Sequence, residues 1–227
     1  MSDFFIFKNI DSRDIGIIIN KLPSITKPEK QIEKIEIEGR DGFLTVDYGA
    51  YQGTVKSVEC TLNSGNIGQI CSWLNGNGEL IFSNEEDKIY KATIINQISF
   101  EKIIPILHTF IIQFECQPHK YSINNDIIVI SQTPNAIFNS STAQSKPIIK
   151  IFGSGSIELT FNSNVIQLTN VVDYVTIDSD LIDCYKDTVL QNNDMNGKFP
   201  IIDIGINTIS WIGTVTKIEV TPNWRFI

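Results

Sequence analysis

Phe110-Ile111-Ile112-Gln113-Phe114-Glu115-Cys116 decides the fold class. Phe110, Ile112, Phe114 and Cys116 fall on one side of an extended chain, with Gln113 and Glu115 on the other. That period of two belongs to a strand with one covered face. Upstream, Val58, Cys60 and Leu62 alternate with Glu59 and Thr61 in the same way. Lys34-Ile35-Glu36-Ile37-Glu38 alternates too, and predicts a further strand with one buried face. Ile89 to Phe100 is rich in β-branched and aromatic residues and reads as one long strand.

One short helix interrupts this pattern. Ile67, Ile70, Cys71 and Leu74 share a helical face, Asn66 is placed to cap it, and Gly76 with Gly78 supply the left-handed backbone that ends it. Leu80-Ile81-Phe82 then starts a strand, and Asn84-Glu85-Glu86-Asp87 reads as the solvated tip of a hairpin. Composition shifts after Pro118, with His119 in a connecting segment. A second β module starts at Pro147-Ile148-Ile149-Lys150-Ile151 and continues in short strands punctuated by Gly153-Ser154-Gly155, Asn162-Ser163-Asn164, Asn192-Asn193-Asp194 and Asn196-Gly197. The expectation is an all-β protein with one short helix, divided into domains 1–121 and 122–227.

Of the 227 residues, 42% are hydrophobic and 19% charged, enough apolar material for real cores. A net charge of −8, from 26 acids against 18 bases, argues against direct nucleic-acid binding, which gains its free energy by neutralising phosphates. No run approaches the ~18 apolar residues of a membrane span. Met1-Ser2-Asp3-Phe4-Phe5 lacks the features of a secretory signal, so folding in a cytosol is expected. Cys60, Cys71, Cys116 and Cys184 are too scattered for a zinc knuckle and read chiefly as buried thiols, with disulfides as the alternative.

No residue pattern predicts catalysis. His108 has the parity of Phe110 and Phe114 and reads as a sheet histidine; His119 has no nucleophile motif beside it. Gly153-Ser154-Gly155-Ser156 lacks the helix that follows a nucleophile elbow and reads as a hairpin turn. Asp173, Asp178, Asp180 and Asp183 form the densest acidic group, but their spacing holds no single strand face. Asn192 to Gly197 resembles part of a calcium loop without its closing glutamate. No enzyme, metal or cofactor is expected.

Two stretches carry a more specific likeness. Gly39-Arg40-Asp41-Gly42, then Tyr48, Tyr51 and Val55 to Leu62, followed by Trp73-Leu74, Gly78-Glu79-Leu80, Tyr90-Lys91-Ala92 and Phe114 to Pro118, resembles the N-terminal domain of the distal tail proteins of long-tailed bacteriophages, in which the turn leads through a long loop into a paired strand. Pro147 to Gly153, Thr176 to Ser179, Gly197 to Pro200, Gly205 to Asn207 and Pro222 to Arg225 are similar to that family's C-terminal sandwich. The resemblance implies an N-terminal ring-forming β-sandwich and a galectin-like C-terminal domain. It also implies a hexameric ring at the virion tail tip, assembled in the bacterial host cytoplasm. Such a ring joins the tail tube and tape measure proteins to the tail-associated and receptor-binding proteins.

A ring of identical copies needs two different complementary patches per subunit. Asn84, Glu85, Glu86 and Asp87, at the hairpin after Gly78, are the candidate subunit contact. The rival function is a carbohydrate-binding module, for which Trp211 and Trp224 are the candidate sugar contacts. A further rival, a glycosidase built on the Asp173 to Asp183 group, would need its carboxylates held across one substrate.

Overall fold

The computed structural model describes residues 2–63, 66–104 and 106–227. The chain forms two compact units, one running to Lys120 and the other covering Tyr121–Phe226. The first holds strands β1 (Phe5–Phe7), β2 (Ile10–Asp11), β3 (Ile17–Lys21), β4 (Lys30–Glu36), β5 (Phe43–Tyr51) and β6 (Thr54–Asn63), then helix α1 (Ile67–Trp73), then β7 (Asn77–Phe82), β8 (Lys88–Ile94), β9 (Glu101–Ile104) and most of β10 (Leu107–Ser122).

Its main sheet runs β2-β1-β7-β8-β10-β6-β3, with β9 also on β10. The alternation predicted for β10 holds: Phe110, Ile112, Phe114 and Cys116 are buried, and Ile111 and Glu115 are exposed. Val58, Cys60 and Leu62 on β6 face the same core. Phe114 is its centre, with ring contacts to Phe5, Phe7 and Phe82. Asn66 caps α1 through its side-chain oxygen, which accepts from the Gly68 and Gln69 amides.

Several expectations change. The inward face of α1 is Ile67, Ile70, Trp73 and Leu74; Cys71 is exposed. Trp73 takes the inward place because its ring stacks on Phe5, 5.6 Å between centroids, and its indole N–H donates to the Phe7 carbonyl. The strand expected from Ile89 to Phe100 stops at Ile94. There the Asn96 side chain takes over the ladder, donating to the Ile111 carbonyl and accepting from the Gln113 amide. β10 does not end at Pro118 but runs to Ser122, so His119 lies in a strand. Pairing with β6 stops at Cys116 opposite Thr54, so on that side Pro118 deprives no ladder of a donor.

The second unit holds β11 (Ile128–Ile130), β12 (Asn135–Asn139), β13 (Ile148–Phe161), β14 (Asn164–Val171), β15 (Tyr174–Asp178), β16 (Asp183–Lys186), β17 (Val189–Leu190), β18 (Met195–Asn196) and β19 (Gly205–Thr221). The order is β11-β19-β13-β15-β16-β17, with β12 on β19, and β14 on both β13 and β18. Ile149, Ile151, Leu159, Phe161, Ile177, Ile209, Ile218 and Val220 fill its core. Gly153 to Ser156 is not a hairpin turn. It lies inside β13, where the register against β19 shifts between Ser154 and Glu158. The glycine is needed because a β-carbon on Gly153 would strike the Thr214 carbonyl.

A candidate assembly surface

The sequence places an alternating strand at Lys34 to Glu38, and the structure pairs that region with a strand where a loop was expected. β4 and β5 form a separate two-stranded sheet, joined across Gly39 to Gly42. Gly39 and Gly42 adopt φ of 77° and 84°, the left-handed backbone that lets the reversal close.

Contrary to the sequence expectation, neither side of this arm is covered within its own chain. Every residue of β4 is exposed, and every residue of β5 except the half-buried Tyr51. Register nevertheless makes the two faces unequal. Glu33 pairs with Val46 and Ile35 with Leu44, so these side chains share one face with Tyr48. That face is mostly apolar; its polar members are Gln31 and Glu33, and the Glu33 carboxylate accepts from the Tyr48 hydroxyl. The bond to an anion raises the Tyr48 phenol above its ordinary pKa.

The opposite face carries Ile32 against Asp47, Lys34 against Thr45 and Glu36 against Phe43. Here Lys30 donates to Asp47 at 2.6 Å, which holds that carboxyl below its ordinary value. The Lys34 ammonium lies 4.8 Å from the Phe43 ring centre. One face is thus richer in charge and the other richer in apolar side chains. A lone two-stranded ribbon with an apolar face gains little by itself in water.

The other candidate positions divide. In the β7–β8 turn, Asn84, Glu86 and Asp87 are exposed, while Glu85 is turned inward. Its carboxylate accepts from Lys120 at 2.6 Å, where both side chains are largely buried, and from the Tyr90 hydroxyl. Asp87 pairs with Lys88 and is held below the ordinary carboxylate pKa by it. Trp211 and Trp224, the candidate sugar contacts, are both half-buried and pack against the second core.

The acidic group of the second unit is spread over separate tasks. Asp178 is buried and accepts from the Asp180 and Leu181 amides. Asp173 pairs with Lys186, Asp180 with Lys146, and Asp183 accepts from the Asn192 amide group. Asn192 to Asp194 is a turn of 3-10 helix whose Asn192 oxygen accepts from the Cys184 amide. Among the described residues no cluster of three His, Cys, Asp or Glu is arranged to hold a metal ion. His108 sits half-buried between Leu62 and Lys102, and His119 packs edge-on against Tyr51.

Comparison of the whole fold with solved structures is decisive about architecture. The crystal structure of the phage SPP1 Dit protein (gp 19.1), described as a paradigm of the hub adsorption apparatus in phages infecting Gram-positive bacteria, matches with a TM-score of 0.78, 12% identity, and all of both chains covered. The chain has the fold of a phage adsorption hub protein. A chain of the phage p2 baseplate, in its activated conformation with Sr, matches at a TM-score of 0.54 and 10% identity, over 96% of this chain and 97% of that one. No protein-family model and no curated protein sequence matches. At such low identity the likeness is one of fold alone.

Proposed function

We propose that this chain is a structural, non-enzymatic subunit of a phage or prophage-derived tail tip. In this reading it forms a hexameric ring that joins the tail tube and tape measure proteins to the tail-associated and receptor-binding proteins. It would act in the virion, after assembly in the host cytoplasm. The observation that carries the proposal is the β4–β5 arm, whose apolar face of Ile35, Leu44, Val46 and Tyr48 is left uncovered by its own subunit. In a ring, each copy supplies one patch and receives another, and the contacts close when the rotation fits. The arm of each subunit is one such patch; the exposed tip residues Glu86 and Asp87, with Asn84 beside them bonded to Pro23 of its own subunit, are assigned to the other.

Full-coverage likeness to a hub adsorption protein supports the same reading. Native mass spectrometry and negative-stain microscopy of the full chain test it. The expected result is a six-membered ring with a central hole, converted to monomers by Ile35→Asp with Leu44→Asp, both of which leave the fold intact because they are exposed. A parent that stays monomeric at high concentration, or a ring indifferent to the double substitution, overturns it.

A further inference from the structure

The arm hangs from two roots, and the entering one is tied to a buried polar cluster of the first unit. Lys56 on β6 is 4% exposed, and its ammonium donates to the Ser24 carbonyl at 3.0 Å and reaches the Thr26 hydroxyl at 3.5 Å. Asn84 donates to the Pro23 carbonyl at 3.1 Å. These acceptors belong to the segment that enters β4. On the return side, Tyr51 at the end of β5 packs against His119. The Gln52 amide donates to the Glu29 carbonyl at 2.8 Å, which joins the two roots.

The cluster itself holds two lysines and one carboxylate. Lys120 is paired with Glu85, and both ammonium groups lie near the Tyr90 ring, 5.3 Å from its centre for Lys56 and 5.8 Å for Lys120. Among the described residues no carboxylate lies within ion-pair distance of Lys56. The Ser24 and Thr26 oxygens are therefore its partners, and detaching the root would strand a buried ammonium. Burial also pushes the Lys56 amine below its ordinary pKa, as expected for a charge held short of water.

We propose that Lys56, with Asn84 beside the Glu85–Lys120 pair, is a positioning device that fixes the direction of the β4–β5 arm before any partner arrives. A preset arm does not lose its swinging freedom on association, which lowers the cost of docking. The inference is independent of what the arm docks onto, and it gives the β7–β8 turn a role inside the subunit.

Pulsed electron–electron resonance on the full chain tests it, with spin labels on Cys71 and on an Asp41→Cys substitution at the arm tip. Labelled protein is diluted into excess unlabelled protein so that only distances within one subunit are read. The parent should give a narrow distribution. Lys56→Met should broaden it roughly twofold while leaving the melting temperature unchanged or higher, because replacing a buried charge by an apolar chain is often neutral for the fold. Lys56→Arg should restore most of the narrowing. Asn84→Ala, at an exposed position, should broaden the distribution less and decides the matter if Lys56→Met does not fold. Unchanged widths in the folded variants overturn the proposal, as does a parent distribution that is already broad.

Discussion

Gly153 and Thr214 pass so closely that a β-carbon on Gly153 would come within 2.2 Å of the Thr214 carbonyl oxygen. β13 and β19 are the longest strands of the second unit, and this is where their register breaks. Gly153→Ala must push the two backbones apart. It should destabilise the unit by about 1–3 kcal/mol, the usual cost of overpacking. Gly155→Ala meets no neighbouring atom but must adopt φ of 78°, so its loss should be smaller, about 1 kcal/mol. Urea melts of the two variants against the parent check the ranking.

Trp73 contributes both a ring and a donor to the first core. Trp73→Phe keeps an aromatic ring against Phe5 but removes the donor to the Phe7 carbonyl. A loss of about 1–3 kcal/mol is expected from the unpaired carbonyl and the lost ring area. Trp73→Ala should cost about 3–5 kcal/mol. Chemical denaturation followed by circular dichroism separates the two.

Thiol chemistry should distinguish one cysteine from three. Burial pushes the Cys60 and Cys116 thiols up to about 12 and Cys184 to about 11, which leaves almost no thiolate to react near neutrality. Cys71 is exposed. A thiol reagent at mildly alkaline pH should modify Cys71 alone in the folded chain, and all four after denaturation. Peptide mapping of the labelled protein reads the result.

Tyr90 gives the fold an alkaline dependence. Burial raises its phenol above the ordinary value, and the hydrogen bond to Glu85 raises it further. The folded chain thus keeps this proton longer than the unfolded one. The contribution is complete below the unfolded pKa of about 10 and declines as pH climbs beyond it. The stability advantage of the parent over Tyr90→Phe should be constant from neutrality to about pH 9 and shrink above pH 10. Denaturant melts across that range measure it.

How much of this was legible depended on whether a residue's partner lay nearby in the pattern. Phe110 to Cys116 announced a strand and its buried side, because alternation is a local consequence of pleating. Asn66 announced the helix start for a similar reason. Asn96 did not announce the end of β8, since its partners Ile111 and Gln113 are remote in sequence and an asparagine substituting for ladder bonds looks like any polar residue. Gly153 looked like a turn because a glycine demanded by a crossing backbone cannot be told from one demanded by a reversal. The arm was the sharpest case. Alternation in Lys34 to Glu38 signalled a buried face, yet every residue of β4 is exposed, because alternation reports which side chains share a face and not whether anything packs against it. Glu85 was placed at an exposed tip because Lys120, its counter-charge, sits on a strand whose continuation past Pro118 was not visible.

The bare underside of the arm has a cost for the lone polypeptide. Ile35, Leu44 and Val46 make each newly folded molecule adhesive along a ribbon that can meet any other greasy strand, including the same ribbon on a sister molecule. The surplus of acids across the chain provides mutual repulsion that keeps such encounters rare, and screening by salt weakens it. Purified material should therefore keep best in dilute, low-salt buffer and clump as ionic strength rises.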